Sequence, residues 1–427
     1  MLRFIIFMNK IKKFLNNPFF YLVAYFNPVV LTVYKWIVMP ILIRRIRNKQ
    51  QINIAFVIAE LGSWKTENLY TLMLKKSRFK VRLFLTREQS APYAFDIVKS
   101  YLDRKKYDYV VLEQGEKIKN IFKPDIIFYQ KPYYGIIDEV QFFSTNLSSL
   151  FCFCSYTFWN RCSTKINGVV FLRYVWQLYI ENESVYKDLE PIMYNHAENM
   201  VVTGVPMMDI LLKGKKEFEC PWKVNNKKHI IYAPHHTISS DTFKSMSPYD
   251  YSTFLKYADF ILELARKYSE YTEWAFKPHP LLRTKLNKVW GIERTDAYFK
   301  EWQDLENAQV SEGEYIGLFK HSDAMIHDCG SFKIEYLYTG NPVMYLLNNE
   351  QEYDFPNTQT QEALELHYKG LKADDIENFV LNVINGNDYM KLSREEYISN
   401  FLTPPYNKTA CDNIINAILG DKEYFKS

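Results

Sequence analysis

Three short segments in the second half of the chain gather residue types that handle phosphate groups: Tyr232-Ala-Pro-His-His-Thr237, Phe276-Lys-Pro-His-Pro280 and His327-Asp-Cys-Gly-Ser-Phe332. They hold four of the eight histidines. Each directly follows a short apolar run of strand character, so all three are expected on one rim, at the carboxyl edge of a sheet. An imidazole placed there can hydrogen-bond a phosphate oxygen or pass a proton to a leaving group, which makes His235, His236 and His279 candidates. Thr237 would line the same pocket. His279 stands between two prolines, which hold its backbone. Gly330 and Ser331 open an expected helix whose unpaired N–H groups suit a diphosphate, with the Ser331 hydroxyl as a further donor. The same residues would also serve as a plain helix cap. Lys277 and Arg283 bring positive charge near the rim; Arg283 reads equally well as a solvated helix residue.

A metal centre is not expected. Adjacent His235 and His236, if they lie on a strand, point to opposite sides and cannot chelate as an i, i+4 pair does on a helix. A divalent cation is compatible with the site but carries no sequence signal, and no cofactor is implied. The six cysteines show no C-x-x-C spacing and read as reduced thiols of a cytoplasmic protein. Neither a G-x-G-x-x-G nor a Walker A sequence occurs, which removes dinucleotide oxidoreductases and P-loop enzymes.

The elements that would position these residues alternate regularly. Strands are expected at 51–59, 80–86, 107–112, 125–130 and 150–156, with helices at 64–76, capped by Ser63, and at 91–104. A second set of strands is expected at 229–233, 272–277, 324–327 and 342–346, with helices at 251–268, 332–339 and 409–419. Such βαβ repetition gives an α/β protein with two Rossmann-like domains of mainly parallel sheet, facing across a cleft that takes the ligand. The boundary is placed at Gly204 and Pro206, giving domains at 50–203 and 204–390. Helices at 391–427 are expected to return to the first domain.

The 427 residues suffice for two domains, and 48% hydrophobic with 24% charged residues describes a folded chain. Nine basic residues and no acidic one precede Glu60, so beyond that point the chain carries −5 against a total of +4. Basic character confined to an apolar terminus argues for a membrane surface rather than nucleic acid. Residues 18–43 are long enough to consider a spanning helix, but Lys35, Asn27-Pro28 and interfacial aromatics such as Trp36 interrupt it. Residues 1–49 are therefore expected to form an interfacial anchor on an anionic cytoplasmic leaflet. The alternatives are a true span and a pair of helices packed on the body.

The ordered set YAPHHT, FKPHP and HSDAMIHDCGSFKIEYLYTGNPVMYL resembles the C-terminal half of the CDP-glycerol glycerophosphotransferases, over roughly residues 204–420. The correspondence rests on the Y-A-P and P-H-P segments and on Ser322-Asp323, Ile326, Asp328, Ser331 and Asn341-Pro342-Val343. The resemblance implies the GT-B fold and transfer of a polyol phosphate from a CDP-alcohol to a membrane-linked or polymeric acceptor, with release of CMP. Such chemistry builds teichoic-acid and capsule-like polymers at the inner face of a bacterial membrane. It would put His279 on the donor phosphates, Gly330 and Ser331 on the diphosphate, and His235, His236, Thr237 and Asp328 around them. Two departures stand out. Cys329-Gly330 precede a single Ser331 where the family often carries two consecutive hydroxyl residues. No histidine occurs before His196, so the family's N-domain base has no counterpart. A base could instead come from Glu60 or Glu67, at the end of the first strand and the start of its helix. The alternative reading is a glycosyltransferase using a CMP-, UDP- or GDP-sugar on the same fold; a third is a non-catalytic assembly partner.

Overall fold

The computed structural model describes residues 27–89, 91–163, 166, 168–194, 196–223, 226–238, 252–347 and 357–421. The chain divides into two compact units. The first takes residues up to Thr157, Ser163–Asp209 and Pro404 onward; the second takes Phe158–Cys162 and Ile210–Thr403.

The first unit is built on seven parallel strands: β1 (Ile52–Ile58), β2 (Phe79–Leu85), β3 (Tyr109–Val111), β4 (Ile126–Tyr129), β5 (Leu150–Cys154), β6 (Gln177–Ile180) and β7 (Met200–Val202), in the order β3-β2-β1-β4-β5-β6-β7. β4, and β1 from Ile54 onward, read as unbroken apolar runs because helices cover both faces of a parallel sheet. Phe56 of β1 stacks on Phe128 of β4 at 4.7 Å. Ser63 does not cap the following helix, which begins only at Glu67. Its hydroxyl donates to Glu60 (2.7 Å), and the intervening residues form turns.

The C-terminal helix Ala410–Leu419 completes this core through Ile414, Ile415 and Ile418. Thr409 caps it, and the Asp209 carboxylate accepts from the N–H groups of Ala410 (2.7 Å) and Cys411 (2.9 Å). Gly204 is required at the turn after β7. Its φ is +75°, and a Cβ there would lie 3.0 Å from Pro404 and 3.1 Å from Ala410.

Residues 27–48 are helical, with a π-turn at Tyr34–Val38. Leu31, Tyr34, Leu42 and Ile46 recur at helical spacing and are buried on the first unit, where the Tyr34 hydroxyl donates to Ser149 O (2.7 Å). Arg45 and Lys49 pair with the buried Asp125. No helix among the described residues is long and apolar enough to cross a membrane. This part of the expected anchor is thus packed on the body along one side; residues 1–26 lie outside the described residues.

The second unit carries six parallel strands: β8 (Lys228–Ala233), β9 (Thr272–Phe276), β10 (Ala308–Val310), β11 (Ala324–His327), β12 (Val343–Leu346) and β13 (Tyr368–Gly370), in the order β10-β9-β8-β11-β12-β13. One face packs the amphipathic helix Phe254–Lys267 against Trp274, Phe276 and Trp302. Helix Lys391–Phe401 belongs to this unit. Its buried Arg394 pairs with Asp388 and donates to Gly340 O.

Candidate functional site

Both sheets follow the Rossmann order, in which the chain reverses direction beside the first strand. In the second unit the reversal lies between β8 and β11, with β9 on the other side of β8. Ligands of such sheets bind beyond the carboxyl ends of the strands at the reversal. Pro234–Thr237 follow β8, Lys277–Pro280 follow β9, and Asp328–Ser331 follow β11, so the three segments converge on this edge.

His235 and His236 lie beyond β8, not within it, because Pro234 follows directly on the last strand residue. The reason for expecting their rings to point apart therefore does not apply. The ring centroids are 4.2 Å apart for His235–His236, 4.0 Å for His236–His279 and 4.9 Å for His235–His279. The His279 N–H donates to Pro234 O (3.1 Å), tying the β9 loop to the β8 loop. Thr237 pairs its hydroxyl with His235 Nδ1 (3.0 Å). The Leu281 N–H donates to His279 Nδ1 (3.1 Å). That bond uses the Nδ1 lone pair, so the ring proton sits on Nε2.

Burial, followed by nearby positive or imidazole groups, lowers the proton affinity of all three rings. His235 falls to a pKa of about 2, through burial and then the neighbouring His236 and His279. His279 falls to about 3, through burial and then His236 and Lys277. His236 falls to about 4, through burial and then Lys285. The cluster is a set of neutral imidazoles at any physiological pH.

Asp328 is fully buried and organises the rim from below. Its carboxylate accepts from the His235 N–H (2.5 Å), the Thr253 N–H (2.7 Å), and the Thr253 and Ser252 hydroxyls (both 3.0 Å). Burial pushes its pKa up to about 6 against these bonds. It was expected to bind substrate; its bonds instead hold the histidine loop in place. The Cys329 thiol donates to Ala233 O (3.2 Å), and Gly330 O accepts from Asn160 (3.3 Å). Ser331 precedes a helix of only four residues, Phe332–Glu335, continued by a 3-10 turn, and its hydroxyl does not cap it. The segment therefore offers N–H groups and a hydroxyl, but little of the helix dipole expected there. Lys277 is buried, with Nζ over the Tyr315 ring at 5.2 Å. Arg283 is not brought into the cluster: it is exposed, pairs with Asp296 (2.7 Å) and lies over Phe299.

In the first unit the reversal lies between β1 and β4. Lys131, just past β4, stands 2.5 Å from Glu60 and 3.0 Å from Glu88. Burial pulls the Lys131 ammonium down, but the two carboxylates outweigh it and leave its pKa raised. Lys131 and Glu88 were not anticipated; a lysine directly after a buried strand was the available signal. Glu67, expected as a base, is placed elsewhere. It accepts from the Tyr101 hydroxyl (2.8 Å) and the Tyr107 hydroxyl (2.7 Å) within a cluster of aromatic rings that includes Trp64 and Tyr70. Both phenol hydroxyls are committed to this carboxylate, which ties the helix to its aromatic surroundings.

The sequence profile of the family described as CDP-Glycerol:Poly(glycerophosphate) glycerophosphotransferase matches residues 169–402, more than half of the chain. The chain belongs to this family. It is accordingly a transferase. No curated protein sequence matches it. Among solved structures, a variant of the wall teichoic acid polymerase TagF superposes with a TM-score of 0.60 at 14% identity, covering 89% of this chain and 91% of that one. UDP-GlcNAc 2-epimerase from Neisseria meningitidis, bound to UDP-GlcNAc, superposes at 0.54 and 14% identity, covering 87% and 100%. The S. aureus MnaA–UDP structure gives 0.53 at 14%, covering 88% and 97%. At these identities the likeness is one of fold, and it is shared by the transferase and epimerases alike.

Proposed function

We propose that this transferase moves a glycerol-phosphate-like group from a CDP-alcohol to a growing teichoic-type polymer or its lipid-linked primer, releasing CMP. The observation that carries the reading is the convergence of His235, His236, His279, Lys277 and the Gly330-Ser331 turn at the chain reversal of the second sheet. It is supported by the family match and by the similarity to a teichoic acid polymerase. An acceptor hydroxyl attacks the β-phosphorus and gives up its proton to water, the bond from that phosphorus to the bridging oxygen breaks, and the oxygen departs on CMP. A phosphate with a second pKa of about 6 leaves at neutral pH without being protonated. His279, with its proton on Nε2, is therefore suited to donate a hydrogen bond to a phosphate oxygen rather than to act as an acid. The chain's contribution is positioning and stabilisation of charge on the diphosphate.

The same reading extends to location. Val29, Val33, Trp36, Ile37 and Ile41 are exposed on the outer side of the N-terminal helices, and Arg44 is exposed beside them. An aromatic-apolar ridge with adjoining positive charge suits the headgroup region of an anionic membrane, placing the enzyme on the cytoplasmic face of a bacterial inner membrane. Replacing Trp36, Ile37 and Ile41 by Ser should release the protein from anionic vesicles, and retained binding would count against this attachment.

The deciding experiment is product release from CDP-glycerol, CDP-ribitol, CMP-sialic acid and UDP- and GDP-sugars, with membranes as acceptor, for wild type and His279→Ala. CMP released from a CDP-alcohol in a His279-dependent manner is the expected result. Release only from a sugar nucleotide would make the protein a glycosyltransferase.

A further inference from the structure

We infer that His235, His236 and His279 form a binding site for a borderline divalent ion such as Zn²⁺ or Co²⁺, with the donor diphosphate completing its coordination. The inference rests on the reading of this rim as the diphosphate site. Among the described residues these three are the one group in which nitrogens or carboxylates could hold an ion: one nitrogen from each ring lies within 4.8 Å of the others. Tetrahedral zinc needs Zn–N distances of about 2.0–2.1 Å, hence nitrogens about 3.3 Å apart. Side-chain movements of about an ångström close that gap. Imidazole is the ligand type that such ions prefer. The rings are held by two loops joined through the His279 N–H to Pro234 O bond, so the framework exists before any ion arrives. His236 Nδ1 is buried and has no hydrogen-bond partner among the described residues, a position that an ion would fill.

Two features shape the inference. Lys277, Lys285, Lys333 and Arg161 all lie close enough to depress the histidines electrostatically, and together they would repel a bare divalent ion. A diphosphate reverses that balance, which is why the anion belongs in the coordination sphere. In addition, the Leu281 N–H occupies His279 Nδ1, and ligation through Nε2 would move the ring proton to Nδ1, break that bond and replace the hydrogen bond to phosphate proposed above with a bond to the ion. His279 is thus the weakest of the three ligands.

The test uses the full chain freed of metal and titrated with Co²⁺, with and without inorganic diphosphate, followed by visible absorption and by metal content after gel filtration. Wild type should take up a single ion with an intense tetrahedral spectrum, more tightly when diphosphate is present. His236→Ala should weaken uptake by about 100-fold or more, since even outer-shell partners of a metal are worth 10–100-fold. His279→Ala should weaken it less. Uptake unchanged in both His236→Ala and His235→Ala, with melting temperatures preserved, would overturn the site, as would wild type that binds no ion even with diphosphate. CMP release from a CDP-alcohol in the absence of ion uptake would leave the transferase reading standing while removing the metal. Ion uptake without use of any CDP-alcohol would do the reverse.

Discussion

The two units share one strand order and differ in what they set at the point of reversal. In the second, the edge carries neutral rings and backbone donors, held by a buried carboxylate that contacts the loop, Asp328. In the first, the same edge carries charges already matched to one another, Lys131 between Glu60 and Glu88. A pre-neutralised cluster gains little from an incoming anion, because its cation is committed. An edge of depressed imidazoles with lysines nearby gains a great deal. The topology says where a ligand goes in both units; the side chains at the edge are why the proposed phosphate site is in the second.

The comparison breaks if the second edge is dispensable. His279→Ala should lower CMP release by about 10²-fold, the cost of losing one donor aimed at developing phosphate charge. His279→Gln keeps an amide donor near the Nε2 position and should recover part of that loss. Rates measured from pH 5.5 to 7.5 should show no acidic limb owed to His279, because the ring stays neutral across that range. A limb that vanishes in His279→Gln would make it an acid.

Stability should follow pH through the same residues. The three histidines have folded pKa values below their unfolded value near 6.5. Their contribution is present above that value and is lost as pH falls toward about 4 and below. Asp328 acts in the opposite sense: with a folded pKa near 6, its contribution falls as pH rises from about 4 to 6. Buried His327 and His367 are lowered in the same sense, so five histidines outweigh the raised Asp328 and Asp209, and the melting temperature should drop by several degrees between pH 7 and pH 5. The drop should shrink in His235→Gln/His236→Gln. A drop of the same size in that variant would place the acid sensitivity elsewhere.

The first edge sharpens the contrast. Lys131→Met strands two carboxylates and should cost about 2 kcal/mol of stability, in the range for a bond between charged groups, read from urea unfolding. Glu67→Gln should leave CMP release within about twofold and cost about 1 kcal/mol through its phenol partners. Loss of activity in Glu67→Gln with stability intact would restore it as the base.

The sequence pattern revealed most of this architecture, and the exceptions have physical reasons. β1, β4, β8 and β11 are buried on both faces and show as apolar runs. β6, β10 and β13 went unseen. They are three or four residues long, too short for any period, and two of them lie at an edge of the second sheet. That the three candidate segments share one edge was legible because each follows a strand. Their mutual geometry was not, since it depends on Pro234 ending β8 one residue before His235. The surroundings of Glu67 were not legible because the phenols that bond it come from residues 34 and 40 positions away.

The smallest expected effect concerns Arg283, which sequence placed with the phosphate-binding set. Its guanidinium is 46% exposed and paired with an Asp296 that is itself 53% exposed, and it rests on Phe299. An exposed pair of this kind contributes about 0–1 kcal/mol. Arg283→Ala should therefore change stability by no more than about 1 kcal/mol and leave CMP release unaltered, whereas His279→Ala, four residues away, should lower it by about 10²-fold. Helical spacing explains the contrast. His279 sits before the first turn, held by the β8 loop, while Arg283 lies within the helix Leu282–Val289 and turns toward helix Ile292–Asp304. A large loss in Arg283→Ala, relieved by raising the donor concentration, would mean that the guanidinium leaves Asp296 for the diphosphate when donor binds.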